Sequence, residues 1–533
     1  MSQRFRLTLA VALMAGFIAL SYEILWYRAF SFVSWSHPTV FGLLLGFYLA
    51  GVAIGSSRSR NYCRTPEPTA PDATRDDGKP LRVLAAFVLC ACLAGFLVLP
   101  ILGFLAKSNW LSALFAVAVS AGLLGAVLPL VAHFGISADD RAGQRLSYVY
   151  LANIVGSAAG SFLTGFVLMD VWSTQVITVA LSLLGLVMVL LLFLASRPAK
   201  GTLSAGLGVV ALSGVLIVLT TPLLFDHFYE KLLYKKTYHP GQTFAHLVEN
   251  RHGVIAVNEH QQVFGGGAYD GAFNVSLVDD KNLIERAFAV SALHPHPRQV
   301  LMVGLSSGSW AQVVANLPEV EHLTIIEINP GYLELIQKYE AVKSLLTNPK
   351  VDIVIDDGRR WLLRHPERKF DFSVMNTTFH FRAHASGLLS REFMELVRAH
   401  LLPGGVHYFN TTSSEDVQRT AAIVFPYAMR VINFMAASDA PLTFDRPRWE
   451  RTLREASIDG VPVLDLSVPG ERTLFERLLK LGGSSDREDH AAPYSLEGRE
   501  TLLARTTNAK LVTDDNMICE WENVLTFPDG SDF

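Results

Sequence analysis

The sequence predicts a multi-pass α-helical membrane bundle followed by an α/β domain with a doubly wound parallel sheet, preceded by a small N-terminal β-subdomain. Three observations carry this. Half of the 533 residues are hydrophobic and only 18% are charged, against about 25% in ordinary soluble domains. The deficit is uneven: from Leu7 to Phe225 one apolar run succeeds another, and mixed composition returns after Asp226. Beyond that point short apolar strands alternate with helical segments, the pattern of a parallel sheet with helical crossovers.

Crossing the hydrocarbon core takes about 20 apolar residues, because the backbone must satisfy its own hydrogen bonds there. Seven runs qualify: 7–33, 38–57, 82–105, 110–134, 147–169, 173–195 and 203–223. The alternative, buried helices of a soluble protein, would require seven consecutive ones of spanning length without a polar face. The first run has no small-residue cleavage site and continues through Glu23, Trp26 and Arg28, which predicts a retained helix instead of a cleaved signal. Glu23 and Arg28 either form a buried polar contact or mark the interfacial end of that helix. Gly156, Gly160 and Thr164 recur at four-residue spacing in the fifth run, a pattern that permits close helix packing. The loop at 58–80 is polar and rich in proline (Pro66, Pro68 and Pro71), the composition of a flexible linker.

Basic residues set the expected orientation. Arg4 and Arg6 precede the first run, Arg58, Arg60 and Arg64 follow the second, Arg141 and Arg145 the fourth, and Arg197 and Lys200 the sixth. The positive-inside rule then places the N-terminus in the cytoplasm of a cell (inner) membrane protein. Seven spans deliver the C-terminal domain to the periplasmic side, whereas a nucleoside cofactor requires the cytoplasmic side; both placements stand at this stage. A net charge of −4 argues against a nucleic-acid partner. Cys63, Cys90, Cys92 and Cys519 lack metal-ligand spacing and read as packing residues, with no disulfide framework and no metal site.

The expected domains are 1–224, a bundle of about seven spans; 225–290, a juxtamembrane helix and small β-subdomain; 291–425, a nucleoside-cofactor domain; and 426–533, a C-terminal α/β extension. In the second, strands are expected at 245–248, 253–258, 262–264 and 273–277. In the third, strands at 300–303, 322–326, 351–355, 370–375 and 406–410 alternate with helices at 311–316, 332–339 and 391–400. Ligands of such sheets sit at the C-terminal ends of the strands. Gly304 and Gly308 let the backbone approach a ligand after the first strand. Glu327, at the end of the second, is placed to accept hydrogen bonds from ribose hydroxyls. Asp357, after the third, is an acceptor for an adenine amino group. A glycine pair alone is often only a tight turn; the ordered set of turn, Glu327, Asp357 and a late Pro-Gly-Gly strand is more specific.

Residues 242–425 resemble the polyamine aminopropyltransferase (spermidine synthase) family, a branch of the class I S-adenosylmethionine-dependent, Rossmann-like methyltransferase fold. The whole chain resembles the membrane-embedded spermidine synthase-like proteins. The stretches that carry this are Tyr269-Asp270-Gly271, His294-Pro-His-Pro297, Val303-Gly304, Ile326-Glu327-Ile328-Asn329-Pro330, Asp356-Asp357-Gly358, Ser390-Arg-Glu-Phe393, Leu402-Pro-Gly-Gly405 and Thr513-Asp514-Asp515-Asn516. The resemblance implies that Glu327 holds the ribose, and Asp357 the adenine, of S-adenosylmethionine or its decarboxylated form. The family's turn is usually Gly-Gly-Gly-Asp-Gly-Gly, whose acid helps hold the donor's amine; here that place is Ser307. Its active loop reads Asp-Ser-Ser-Asp-Pro, the first Asp assisting deprotonation of the attacking amine and the second binding the polyamine. Here it reads Asn376-Thr-Thr-Phe379-His380, and the family's catalytic-side tyrosine falls on Ile284.

An amine nucleophile must lose a proton to attack a sulfonium-bound carbon, and Asn376 cannot accept one. His380, on the same loop as His384, is the candidate base, set against an ordinary surface histidine. Asp270 is either a functional acid facing the donor, as Glu285 is also placed to be, or a turn residue. Phe379 and Phe381 point to a less polar, lipid-borne acceptor or simply pack. Two function classes follow. One is a membrane-held transferase moving an aminopropyl or methyl group to a small amine or lipid-borne acceptor. The other is a catalytically retired nucleoside- or polyamine-binding module that senses for or assembles the bundle. The expected partners are the lipid bilayer, that acceptor and further copies of the chain.

Overall fold

The computed structural model describes residues 3–63, 78–280, 282–376, 379–480, 496–521 and 527. Most of the expected linker at 58–80 lies outside the described residues. The chain divides into two compact units, one of Met1–Thr243, Glu249–Gly253 and Phe527–Phe533, the other of Phe244–Val248 and Val254–Thr526.

The first unit is a bundle of α1 (Gln3–Val33), α2 (Thr39–Ser59), α3 (Lys79–Leu105), α4 (Ala113–Gly135), α5 (Ala142–Leu163), α6 (Met169–Val171), α7 (Thr174–Ala195) and α8 (Lys200–Leu224), followed by the short juxtamembrane helix α9 (Phe228–Tyr234). A π-helical turn at Thr164–Leu168 joins α5 and α6 into one span. Seven helices among the described residues are long and apolar enough to cross a membrane. In α8 the side chains are sorted in the reverse of a soluble helix: Ser213, Ile217 and Thr221 are buried while Leu212, Leu216, Leu219 and Leu223 face outward. Outward leucine costs nothing in lipid, where packing and hydrogen bonds hold helices together. At Gly156 and Gly160, α5 comes so close to α1 that an added Cβ would collide with the carbonyl oxygens of Leu13 and Phe17. Arg28 pairs with Glu249 at 3.8 Å and not with Glu23, and Tyr229 donates to the same carboxylate at 2.8 Å. All four cysteines are free thiols.

The second unit opens on a four-stranded sheet in the order β1 (Phe244–Asn250), β2 (Gly253–Asn258), β3 (Gln262–Gly265), β4 (Ala268–Ala272). The last strand is not at 273–277 as the sequence suggested. Gly266 (φ 58°) and Gly267 (φ 84°) form a two-residue hairpin turn that sends the chain straight back. Asp270 is therefore a strand residue.

The main sheet contains β5 (Gln299–Val303), β6 (His322–Glu327), β7 (Val351–Ile355), β8 (Phe370–Met375), β9 (Leu401–Asn410), β10 (Tyr427–Val431) and β11 (Phe434–Ser438). A small separate pair, β12 (Ser457–Ile458) and β13 (Val461–Pro462), precedes its last strand, β14 (Leu496–Gly498). The order is β14-β10-β11-β9-β8-β5-β6-β7. The five strands from β9 to β7 are parallel, as expected. The antiparallel β11, β10 and β14, from the expected C-terminal extension, continue the same sheet. The chain runs outward from β5 to β7, then returns to the other side of β5 for β8 and β9, so the strand order reverses between β5 and β8.

Alternate strand residues feed two cores. Val300, Met302, Ile325 and Val374 pack on one face; Leu301, Val303, Ile326 and Met375 pack on the other. The first face is covered by α10 (Glu285–Leu293), α11 (Ser309–Asn316), α12 (Gly331–Ile336) and α13 (Glu340–Lys343); α14 (Gly358–Arg364), α15 (Ser386–Leu389) and α16 (Arg391–Ala399) cover the second. The helix expected at 332–339 ends at Ile336 because Tyr339 leaves helical geometry and stacks on Phe273, ring centroids 4.0 Å apart.

Candidate functional site

Register across the parallel strands places the candidate residues in a row. Val303 aligns with Ile326 on one side and Met375 on the other, and Met375 aligns with Phe409. The next residue on each strand is thus Glu327, Gly304, Asn376 and Asn410. They stand side by side at the C-terminal edge, about 4.8 Å apart by the spacing of strands. Asp356 and Asp357 follow β7 at the end of the row.

Gly304 and Gly308 do different work. Both have positive φ, 88° and 77°. A Cβ on Gly304 would meet nothing within 4 Å, whereas one on Gly308 would meet Ile336 Cδ1 at 3.0 Å. The turn is therefore open above Gly304 and packed at Gly308. Ser307 is buried inside the turn with its hydroxyl 3.0 Å from that of Ser309.

Glu327 is buried and is bonded to this turn. Its Oε2 accepts the backbone N–H of Leu305 at 2.7 Å and of Ser306 at 3.5 Å, and its Oε1 accepts that of Asn329 at 2.7 Å. With about four lone-pair sites on a carboxylate, Oε1 keeps one for a ligand hydroxyl. Burial pushes the carboxyl up to about 7; Asp270 adds to the shift, while the three N–H groups hold it back.

Asp270 lies against the same turn. Tyr332 donates its hydroxyl to Asp270, and Ser306 donates to the Asp270 carbonyl. Asp357 caps α14, accepting the N–H of Arg360 at 2.7 Å, and Asp356 pairs with Arg360. The loop that follows β8 is also held. Asn376 Oδ1 accepts from Asn410 Nδ2 at 3.0 Å. His380 is anchored to Thr412, whose Oγ1 lies 2.6 Å from its Nδ1 and accepts its backbone N–H at 2.9 Å. Thr412, a β-branched residue, sits at φ 46° and Phe379 at φ 44°, strain of a kind concentrated at functional sites. Residues 377 and 378 of this loop are outside the described residues. Ile284 is fully buried, and burial pushes the neighbouring Glu285 up to about 8, with Asp280 adding to it.

Two motifs singled out in the sequence meet in space. Asp514 accepts both guanidinium arms of Arg359, and the hydroxyl of Ser390 at 2.7 Å; its own N–H donates to Glu392 at 3.0 Å. Tyr332, Thr412, Asn410 and Asn433 were not among the sequence candidates. Asn410 alone left a signal, as the last residue of the strand after Pro-Gly-Gly.

Comparison with known proteins bears on this region. Residues 287–437, the stretch that contains the row, match the spermine/spermidine synthase domain. The chain is a distant, membrane-associated relative of the spermidine synthases. It is 31% identical over 168 residues to the polyamine aminopropyltransferase of Desulforudis audaxviator, covering 30% of this chain and 60% of that one. It is 28% identical over 159 residues to polyamine aminopropyltransferase 2 of Hyperthermus butylicus, covering 29% and 52%. The chain thus spans about half to three-fifths of the length of these two curated relatives. The solved spermidine synthase of Thermotoga maritima aligns with TM-score 0.32 at 17% identity, over 45% of this chain and 88% of that one.

Proposed function

We propose that the second unit is a transferase that moves an alkyl group, aminopropyl or methyl, from an S-adenosylmethionine-type donor to a nucleophile. The observation that carries this is the buried Glu327 carboxylate beside the open turn at Gly304, inside the stretch that matches the synthase domain. On this reading Glu327 accepts from a ribose hydroxyl, Asp357 accepts from the adenine amino group, and Asp270 faces the donor's charged end. The nucleophile's lone pair forms a bond to the sulfonium-bound carbon. The carbon–sulfur bond breaks with its electron pair returning to sulfur, leaving a neutral thioether, and the nucleophile's proton passes to His380. Such a displacement depends largely on positioning, so it tolerates an altered acceptor loop.

The test is binding of labelled S-adenosylmethionine, and of its decarboxylated form, to the full chain in nanodiscs. Glu327→Ala is expected to weaken donor binding at least about tenfold, the loss of one charge-assisted hydrogen bond in a buried site. Equal binding by the variant, or none by the parent, overturns the reading. Reporter fusions at both termini supply a second check. The donor is cytosolic, so the reading expects a cytoplasmic C-terminus, which with seven spans goes with an external N-terminus.

A further inference from the structure

Four polar side chains form a line that ends at Asn376. Arg286 Nη1 donates to Asn433 Oδ1 at 2.7 Å, Asn433 Nδ2 donates to Asn410 Oδ1 at 3.0 Å, and Asn410 Nδ2 donates to Asn376 Oδ1 at 3.0 Å. The direction of this line is fixed. A guanidinium has donors only, so Asn433 must turn its oxygen to Arg286 and its nitrogen to Asn410. The backbone N–H of Thr412 also donates to Asn410 Oδ1, at 2.8 Å, and fixes that carboxamide independently. Arg286 is itself clamped, bonded to the carbonyls of Leu283 (2.9 Å) and Asn282 (3.1 Å), with its guanidinium 4.9 Å from the Phe434 ring centroid. With Oδ1 committed to Asn410, the half-buried Asn376 presents its NH2 group on the side away from Asn410.

We infer that the acceptor half of this site offers an N–H donor and selects a neutral or anionic acceptor, one carrying a carbonyl, carboxylate or phosphate oxygen near its nucleophile, over an ammonium. This rests on the transferase reading above and names the substrate class for it. An ammonium has donors only; against the Asn376 NH2 it sets donor against donor, and an unpaired desolvated donor costs about 1–3 kcal/mol, roughly 5- to 150-fold in affinity. The loop beyond adds two aromatic rings, Phe379 and Phe381, with centroids 5.2 Å apart.

Asn376→Asp tests this without breaking the line. Asn410 Nδ2 still finds an oxygen at that position, while the outward atom changes from donor to acceptor and gains charge. The probes are putrescine and succinamide, similar in length and differing in ammonium against carboxamide, titrated into the full chain loaded with either donor. The parent is expected to bind succinamide at least about tenfold tighter than putrescine, a difference of about 1.4 kcal/mol, and the variant is expected to reverse the order. Donor affinity, measured in both proteins, should stay within about twofold. A parent that prefers putrescine or shows no preference, or a variant with the same order as its parent, overturns the inference while the transferase reading stands. A parent that binds neither donor overturns both.

Discussion

The carboxylate of Glu327 accepts the backbone N–H of Leu305 at 2.7 Å, tying the acid at the end of β6 to the turn that follows β5. One group thus both shapes the turn and faces the space above it.

This coupling predicts a pH dependence of donor binding. A ribose hydroxyl donates best to the ionised carboxylate, and burial has moved that ionisation up to about 7. Donor affinity is expected to be flat at alkaline pH and to fall about tenfold per unit below about 7. Glu327→Gln should flatten the profile. Calorimetric titration between pH 6 and 8.5 checks it, and a parent profile as flat as the variant's contradicts it.

The same shift has a stability consequence of defined sign. A carboxyl whose folded pKa lies above its unfolded value binds more protons when folded, so stability falls as pH rises from about 4.5 to about 7 and is level above that. The full change is about 3 kcal/mol at 1.36 kcal/mol per unit. Relative to the parent, Glu327→Gln should gain most in melting temperature above pH 7 and least below pH 4.5. A difference between the two proteins that does not vary with pH tells against the buried-acid account.

Gly265 has no room to grow. A Cβ there would stand 2.5 Å from the Tyr332 hydroxyl and 2.9 Å from Asp270 Oδ2. Gly265→Ala is expected to prise Tyr332 from Asp270, costing about 1–3 kcal/mol of stability as overpacking does, with weaker donor binding. Tyr332→Phe, which removes the same hydrogen bond without a clash, should weaken donor binding at smaller cost in stability. Full donor affinity in both variants would separate Asp270 from the donor.

At the antiparallel edge, Glu497 on β14 lies 2.8 Å from Arg430 on β10 and 3.0 Å from Arg505, with Glu497 and Arg430 both buried. Removing one partner of a buried pair leaves an uncompensated charge. Glu497→Ala should cost about 3–5 kcal/mol, read from chemical denaturation of the full chain, whereas a change under about 1 kcal/mol would place the pair effectively in solvent.

Much of the architecture was legible because composition and periodicity are local. Seven apolar runs need only length, and the alternation from β5 to β9 needs only short hydrophobic strands between helices. What stayed hidden depends on pairs far apart in sequence. Arg286 reaches Asn433 across 147 positions and Tyr332 reaches Asp270 across 62, and no spacing announces either. The antiparallel strands Tyr427–Val431 and Phe434–Ser438 were missed although they are local, a tight hairpin with Val431 opposite Phe434. Asp270 was read as a possible turn residue because Tyr-Asp-Gly suits a turn, while the Gly266–Gly267 hairpin had already made one. The departure at Asn376 was visible; the direction of its carboxamide was not, since three other side chains decide it.

The meeting of Gly156 and Gly160 with the carbonyls of Leu13 and Phe17 bears on how the chain is made. The surface of α1 that receives α5 emerges from the ribosome with three other spans still to be synthesised before its partner exists. Until then lipid must cover it. Closure of the bundle is therefore a late event in biogenesis, and a single methyl group on either glycine would be felt at that moment, after insertion has succeeded, as a helix that cannot dock.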